Sequence, residues 1–146
     1  MSDAGKRTGG ESLAAQLRLH GAGPIFGVPG ESYLALLDAL YANRGTMPFI
    51  ACRQEGGAAM MAEAYGKLTG RPGVCMVTRG PGATNASAGV HVAKQDSTPM
   101  ILFIGQVARG FLDREAFQEV DFRQMYGPLA KWVAQIDNAA RASRNM

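Results

Sequence analysis

Four short apolar segments, spread along the first 104 residues, limit the folds open to this chain more than any other feature. They cover residues 25–28, 48–52, 74–78 and 100–104. Their Val, Ile, Phe and Met side chains lack the alternation of apolar and polar residues that a half-exposed strand shows. Continuous apolar strands belong to parallel sheets whose two faces are both covered. The pattern therefore predicts a buried sheet with other elements packed above and below it.

Helical patterns lie between these strands. Thr8 and Glu11 have the spacing of a capping box, which starts a first helix, and Ser32 is a candidate N-cap for a second. The alanine-rich segments 58–68 and 83–93 predict a third and a fourth helix. Strand, helix and strand at this spacing require right-handed crossovers. We therefore predict an α/β fold, a three-layer sandwich with a central, mostly parallel sheet and helices on both faces.

The last third of the chain has a weaker pattern. Residues 105–126 mix apolar and polar side chains without a clear period. Residues 131–136 have the composition of a last strand, with Trp132 in the core. No repeat, linker or low-complexity stretch divides the sequence, so we expect one domain over residues 1–146.

Composition excludes several classes of function. The net charge of +3 arises from scattered Lys and Arg residues, which argues against a nucleic-acid-binding surface. Cys52 and Cys75 lie in apolar segments without the spacing of a zinc site, so we expect buried, reduced thiols and no bound metal. No apolar run approaches the ~18 residues of a membrane span, and the opening residues do not resemble a secretory leader. We expect a cytoplasmic protein.

Three loops that contain glycine or proline follow the predicted strands. They cover residues 29–32, 53–56 and 79–85, and each falls at the carboxyl end of a strand, where ligands bind in parallel α/β sheets. The third loop is not a dinucleotide-binding fingerprint, because Asn85 stands in place of the third glycine and Pro81 lacks a backbone N–H. The loops therefore predict a ligand site of another kind.

Glu55 is the most distinctive candidate for chemistry. It lies where an apolar strand gives way to a helix, so the positive end of the helix dipole favours its ionised form. Two interpretations remain open on these grounds, a carboxylate that only stabilises the helix and one that shares a proton with a ligand nitrogen. Without a nearby His or second acid, Glu55 does not suit triad or glycosidase chemistry. Phe117 and Gln118 are either a surface loop or a ligand contact.

Several ordered blocks resemble thiamine-diphosphate-dependent enzymes, and most closely the acetolactate synthase-like group. The resemblance runs from about Gly21 to Val133. The blocks are Gly27-Val28-Pro29-Gly30, Arg53-Gln54-Glu55-Gly56-Gly57-Ala58-Ala59, Val77-Thr78-Arg79-Gly80-Pro81-Gly82-Ala83-Thr84-Asn85 and Phe117-Gln118-Glu119.

The resemblance implies the N-terminal, pyrimidine-binding domain of a 2-oxo-acid decarboxylase or carboligase. In such enzymes the glutamate that corresponds to Glu55 hydrogen-bonds N1′ of the aminopyrimidine ring and favours the imino tautomer, whose nitrogen takes the proton from C2 of the thiazolium. The resemblance assigns the catalytic role to Glu55 and places Phe117 and Gln118 on the substrate side. The other implied cofactor contacts are Pro29, Gly30, Thr78, Pro81 and Asn85.

The chain also departs from the acetolactate synthase pattern. Those enzymes usually read Pro-Gly-Gly-Ala and Ser-Gly-Pro-Gly, whereas this sequence has Glu31 and Arg79 in the corresponding loops. An added carboxylate and an added guanidinium near the site leave the substrate open.

The enzymes that the chain resembles are several times longer. Their C-terminal domain holds the diphosphate through Mg²⁺ with a Gly-Asp-Gly motif that these 146 residues lack, and their middle domain holds FAD where FAD is bound. The resemblance therefore implies an incomplete domain, inactive alone, that forms its cofactor site with a partner chain or within a homo-oligomer. The alternative is a non-catalytic module that associates with full-length thiamine-diphosphate enzymes.

Overall fold

A parallel β-sheet forms the centre of the computed structural model, which describes residues 7–144. In the described residues the sheet has the strand order β2-β1-β3-β4, and every neighbouring pair is parallel. The strands are β1 (Ile25–Gly27), β2 (Phe49–Ala51), β3 (Gly73–Val77) and β4 (Met100–Ile104). All four lie where the apolar segments predicted them, and β1 and β2 are shorter than predicted.

Helices cover both faces of this sheet, so the predicted α/β three-layer sandwich is confirmed. The helices are α1 (Gly9–Leu19), α2 (Leu34–Ala42), α3 (Glu55–Thr69), α4 (Pro81–Gln95) and the short α5 (Phe122–Tyr126). Alternate residues of β3 point to opposite layers. Val74 and Met76 pack with α1 and α2, whereas Cys75 and Val77 pack with α3 and α4. A strand that is buried on both faces needs the continuous apolar sequence seen here.

Small residues let α3 and α4 approach each other closely. Ala59 and Ala62 of α3 and Ala86 of α4 are fully buried. A Cβ atom placed on Gly89 would lie 2.5 Å from the Cβ of Ala59 and 2.8 Å from its carbonyl carbon. The alanine-rich composition of the two helices therefore reflects their packing distance as well as helix propensity.

The helix ends agree only in part with their predicted caps. The capping box of α1 is confirmed, because Thr8 Oγ1 accepts the Glu11 N–H at 3.1 Å and Glu11 Oε2 accepts the Thr8 N–H at 2.7 Å. Ser32 as the cap of α2 is wrong. A 3-10 turn over Glu31–Tyr33 precedes that helix, and the Ser32 hydroxyl lies 2.8 Å from Thr78 Oγ1 instead.

The predicted last strand and the predicted burial of Trp132 are also corrected. Residues 131–136 form no strand, and β4 is the last strand of the sheet within residues 7–144. Trp132 exposes 65% of its surface, and Tyr126 is the aromatic residue that this region contributes to the core. Burial raises the pKa of the Tyr126 hydroxyl, which donates a hydrogen bond to the Ala83 carbonyl.

The two cysteines are free and differ in burial. Cys75 is fully buried in the central strand β3, and burial raises the pKa of its thiol to about 12, so the protonated form predominates at neutral pH. Cys52 is half-buried, contrary to expectation, because it follows the edge strand β2.

Within residues 7–144, no helix has both the length and the apolar composition needed to cross a bilayer.

We predict that Gly89→Val destabilises the fold by about 2–3 kcal/mol, because the added side chain meets the backbone of α3 at 2.8 Å and forces the helices apart. Gly45→Val is the matched control, since nothing lies within 4 Å of a Cβ atom at that position. Chemical unfolding followed by circular dichroism measures both free energies. Equal free energies of unfolding for the two variants would contradict the packing argument.

Candidate functional site

The strand order places a topological switch point between β1 and β3. The chain leaves β1 towards β2 on one side and then returns to β3 on the other, and parallel sheets bind ligands at the carboxyl ends of such strands. Pro29 and Gly30 follow β1, and Thr78 follows β3. A Cβ atom on Gly30 would lie 2.6 Å from the Cβ of Thr78, so only glycine permits this approach of the two loops. Three predicted cofactor contacts thus meet at the switch point.

Hydrogen bonds fix these two loops to each other. Ser32 Oγ lies 2.8 Å from Thr78 Oγ1 and accepts the Arg79 N–H at 3.3 Å. The Tyr33 hydroxyl donates to the Val28 carbonyl, and burial together with the nearby acidic groups raises its pKa. Sequence reasoning missed Tyr33, because an aromatic residue beside a turn carries no signal of the carbonyl that it will reach.

Glu55 is the first residue of α3, which begins three residues before the predicted start at Ala58. Its expected place, where a strand gives way to a helix, is confirmed. Its neighbour Gln54 is the N-cap, and the Gln54 side chain accepts the Gly57 N–H at 2.7 Å. The Glu55 side chain is half-buried and its Oε2 accepts a hydrogen bond from Asn85 Nδ2 at 2.9 Å. A helix start and a side-chain amide from a second helix therefore hold one carboxylate in a defined orientation.

Glu55 also lies close to the loop after β3. A Cβ atom on Gly82 would lie 3.5 Å from Glu55 Oε1 and 2.8 Å from Thr78 Cγ2. The carboxylate, Thr78 and the first turn of α4 thus adjoin one another. Of the predicted contacts, Glu55, Thr78 and Asn85 are brought together in this way.

The turn that starts α4 is shaped by Gly80. Gly80 has a φ of +52°, a backbone conformation that side chains disfavour, and a Cβ atom there would lie 2.8 Å from the Gln118 carbonyl oxygen. Pro81 then takes the first position of the helix, where its missing N–H is not needed. Pro81 is exposed at this N-terminal end of α4.

An open cleft lies over the carboxyl ends of β1 and β3 and extends towards the end of β4. It consists of adjoining volumes of about 540 Å³ and 300 Å³. Glu31, Arg79 and Phe117 line both volumes. The smaller volume also touches Gly30, Thr78 and Gln118, and the larger one also touches Ser32, Gln106, Val107, Ala108, Phe111 and Ala116. Pro29, Glu55, Pro81 and Asn85 lie outside this lining.

The far wall of the cleft is a loop that carries Phe117 and Gln118. Glu119 organises the loop, since its carboxylate accepts the Asp113 N–H at 2.6 Å and the Ala116 N–H at 2.9 Å. These backbone hydrogen bonds hold the pKa of Glu119 below its usual range. Phe117 remains 78% exposed beside the cleft. The structure therefore places both predicted substrate-side residues at the cleft.

The described part of the chain contains no candidate metal site. Among residues 7–144, no group of three or more His, Cys, Asp or Glu side chains is placed to hold a metal ion.

Comparison with known proteins gives one family and one group of relatives. Residues 7–125 match the family described as thiamine pyrophosphate enzyme, N-terminal TPP binding domain. The chain is 41% identical over 140 residues to the mitochondrial acetolactate synthase catalytic subunit of Aspergillus candidus, which covers 96% of the chain. It is 43% identical over 113 residues to the acetolactate synthase isozyme 2 large subunit of Escherichia coli, which covers 77% of the chain.

The matched region is a small part of these relatives. The chain spans 20% of the length of each of the two. The family match nevertheless extends over most of the described residues and includes the loops that follow β1 and β3. The chain therefore belongs to the family of N-terminal TPP binding domains of thiamine pyrophosphate enzymes.

Proposed function

We propose that this chain binds the aminopyrimidine half of thiamine diphosphate and that Glu55 contacts its ring nitrogen N1′. One observation carries the proposal. Asn85 holds Glu55 Oε2 at 2.9 Å, whereas the described residues provide no hydrogen bond to Oε1. One carboxylate oxygen is therefore fixed, and the other is available to a ligand nitrogen.

Glycines let neighbouring segments of the chain close around Glu55. A Cβ atom on Gly82 would lie 3.5 Å from Glu55 Oε1 and 2.8 Å from Thr78 Cγ2, and one on Gly56 would lie 3.1 Å from the Asn85 carbonyl oxygen. The absence of side chains at Gly56 and Gly82 therefore allows α3, α4 and the loop after β3 to meet at the carboxylate.

Glu55 acts on the ring through a proton. Bound thiamine diphosphate supplies a nucleophilic thiazolium carbon to enzymes of this kind. A carboxylate accepts a hydrogen bond only from a nitrogen that carries a proton, so Glu55 favours the protonated form of N1′. The hydrogen bond from Asn85 fixes the direction in which the carboxylate accepts.

We infer a larger enzyme context from the relatives. Identities of 41–43% to acetolactate synthases support a carboligase or decarboxylase that acts on 2-oxo acids. In that context Mg²⁺ and the diphosphate are held by another domain, FAD by a middle domain, and the complete site forms in a cytoplasmic homo-oligomer or with a partner chain. The second candidate is a module without turnover of its own that associates with full-length thiamine-diphosphate enzymes.

The loop that carries Phe117 and Gln118 borders the substrate in this proposal. Its shape depends on Glu119, which accepts two backbone N–H groups across the turn. Gln118 has a φ of +63° and packs against Gly80 at the start of α4. A change in the Glu119 carboxylate is therefore transmitted to the side chains at the cleft.

We predict that Glu55→Gln lowers the affinity of the chain for thiamine diphosphate about tenfold. The substitution preserves shape, but it replaces a charge-assisted hydrogen bond, which stabilises a complex by roughly 1.5–3 kcal/mol, with a neutral one. Isothermal titration calorimetry measures the two dissociation constants. Asp38→Asn, on the exposed side of α2, is the control for lost negative charge. Equal affinities for wild type and Glu55→Gln would reject the role of Glu55.

We also predict that the loop over residues 112–119 opens in acid. Because the pKa of Glu119 is lowered from 4.5, its stabilising contribution is complete at neutral pH and is lost as the pH falls through the lowered value. The protection factors of the Asp113 and Ala116 amides, which compare their exchange rates with those of an unstructured peptide at the same pH, should fall below that pH. In Glu119→Gln the protection should be low at every pH, whereas Glu115→Gln, in the same loop, should behave like the wild type. High protection in Glu119→Gln at neutral pH would show that the carboxylate does not organise the loop.

A further inference from the structure

Among residues 7–144, Arg79 is the one cationic side chain that lines the cleft. It lies two residues after β3 and borders both cleft volumes, so it lies at the switch point rather than on the outer surface. The Arg79 side chain is half-buried. A positive charge at this position meets any ligand that enters the cleft beside Thr78.

Only the Nε side of the Arg79 guanidinium is hydrogen-bonded to the described residues. Arg79 Nε donates to the Phe117 carbonyl at 3.2 Å, and the Arg79 backbone N–H donates to Ser32 Oγ at 3.3 Å. The described residues place no carboxylate within ion-pair distance of its terminal nitrogens. The planar fork is therefore fixed in direction, and its outer N–H groups remain for a carboxylate, which the fork binds with two parallel hydrogen bonds.

A carboxylate that the reaction removes is a poor partner for this fork. Stabilising the carboxylate of the bound substrate more than the transition state, in which its charge disperses, slows decarboxylation. An anionic group that persists through the reaction carries no such penalty. The larger cleft volume of about 540 Å³ provides room for a group remote from the reacting carbonyl.

We propose that Arg79 is a specificity-determining residue, which selects a substrate with a second anionic group in addition to its 2-oxo acid group. This inference rests on the proposed function, because it assumes that the cleft receives a 2-oxo acid. Glu31 lines the same cleft, and its carboxylate repels an anion. The second anionic group is therefore expected beside Arg79 and Phe117 and away from Glu31.

The test is a titration of the chain with two five-carbon acids, 2-oxoglutarate, which has a second carboxylate, and 2-oxopentanoate, which lacks it. NMR signals of the Arg79 Nε–H group and the Phe117 and Gln118 amides report binding at the cleft. We expect 2-oxoglutarate to bind at least about fivefold more tightly, because a second carboxylate gains a charge-assisted hydrogen bond. Equal affinities, or no shift of the Arg79 signal, would overturn the proposal.

Three variants test which side chains produce the preference for 2-oxoglutarate. Arg79→Gln should remove the difference between the two acids, whereas Arg123→Gln, which deletes an exposed charge on α5, should retain it. Glu31→Gln should raise the affinity for 2-oxoglutarate, and a lower affinity would contradict the placement of the anion. A preference that survives in Arg79→Gln would overturn the proposal.

A fourth variant separates this inference from the proposed function. Glu55→Gln should retain the preference for 2-oxoglutarate, since Glu55 lies outside the lining of the cleft. An affinity for thiamine diphosphate about tenfold lower in that variant alone supports the role of Glu55 independently. If Glu55→Gln leaves cofactor affinity unchanged while the Arg79-dependent preference persists, the proposed role of Glu55 fails and the anion selectivity stands.

Discussion

The close packing of α3 against α4 is the constraint on which the site depends. Gly89 and Ala59 meet where a single added carbon would lie 2.5 Å from its neighbour, so at this point the two helices pack more closely than a side chain at position 89 would allow. Both helices begin at the carboxyl edge of the sheet. Their first turns therefore lie side by side, which brings Asn85 of α4 within 2.9 Å of Glu55 of α3. A larger residue in the middle of either helix would separate the two groups at its end.

The strand order determines what surrounds that pair. Because β1 and β3 are neighbours although β2 lies between them in sequence, the loop after β1 meets the loop after β3. Gly30 and Thr78 touch there, and Thr78 in turn adjoins Gly82 beside Glu55. The position of Glu55 relative to the cleft is thus set by sheet topology, and the hydrogen bonds of Ser32 and Tyr33 only hold it in place.

Local sequence patterns predicted the elements of the fold but not their partners. The strands and the helix that follows Glu55 were predicted from apolar runs and alanine-rich composition, which are properties of neighbouring residues. The bond between Glu55 and Asn85 joins positions 30 residues apart, and no local signal specifies it. Ser32 has the chemistry of an N-cap, yet Thr78 competes for its hydroxyl. Trp132 lies in a strand-like segment, yet in the described residues that segment pairs with neither edge of the sheet, because strand propensity does not specify a pairing partner.

The geometry also bears on the two interpretations of Glu55. A carboxylate that only stabilises a helix start needs no fixed orientation, and the capping position is already served by Gln54, whose side chain accepts the Gly57 N–H. Glu55 instead meets a second helix, because α4 places Gly82 beside Oε1 and donates from Asn85 to Oε2. A carboxylate between two helix starts, with one oxygen bound by a side-chain amide, is held in one direction. Such a group is suited to keeping a proton on a ligand nitrogen, because the ligand gains most when it meets the charge with a positive or proton-bearing atom.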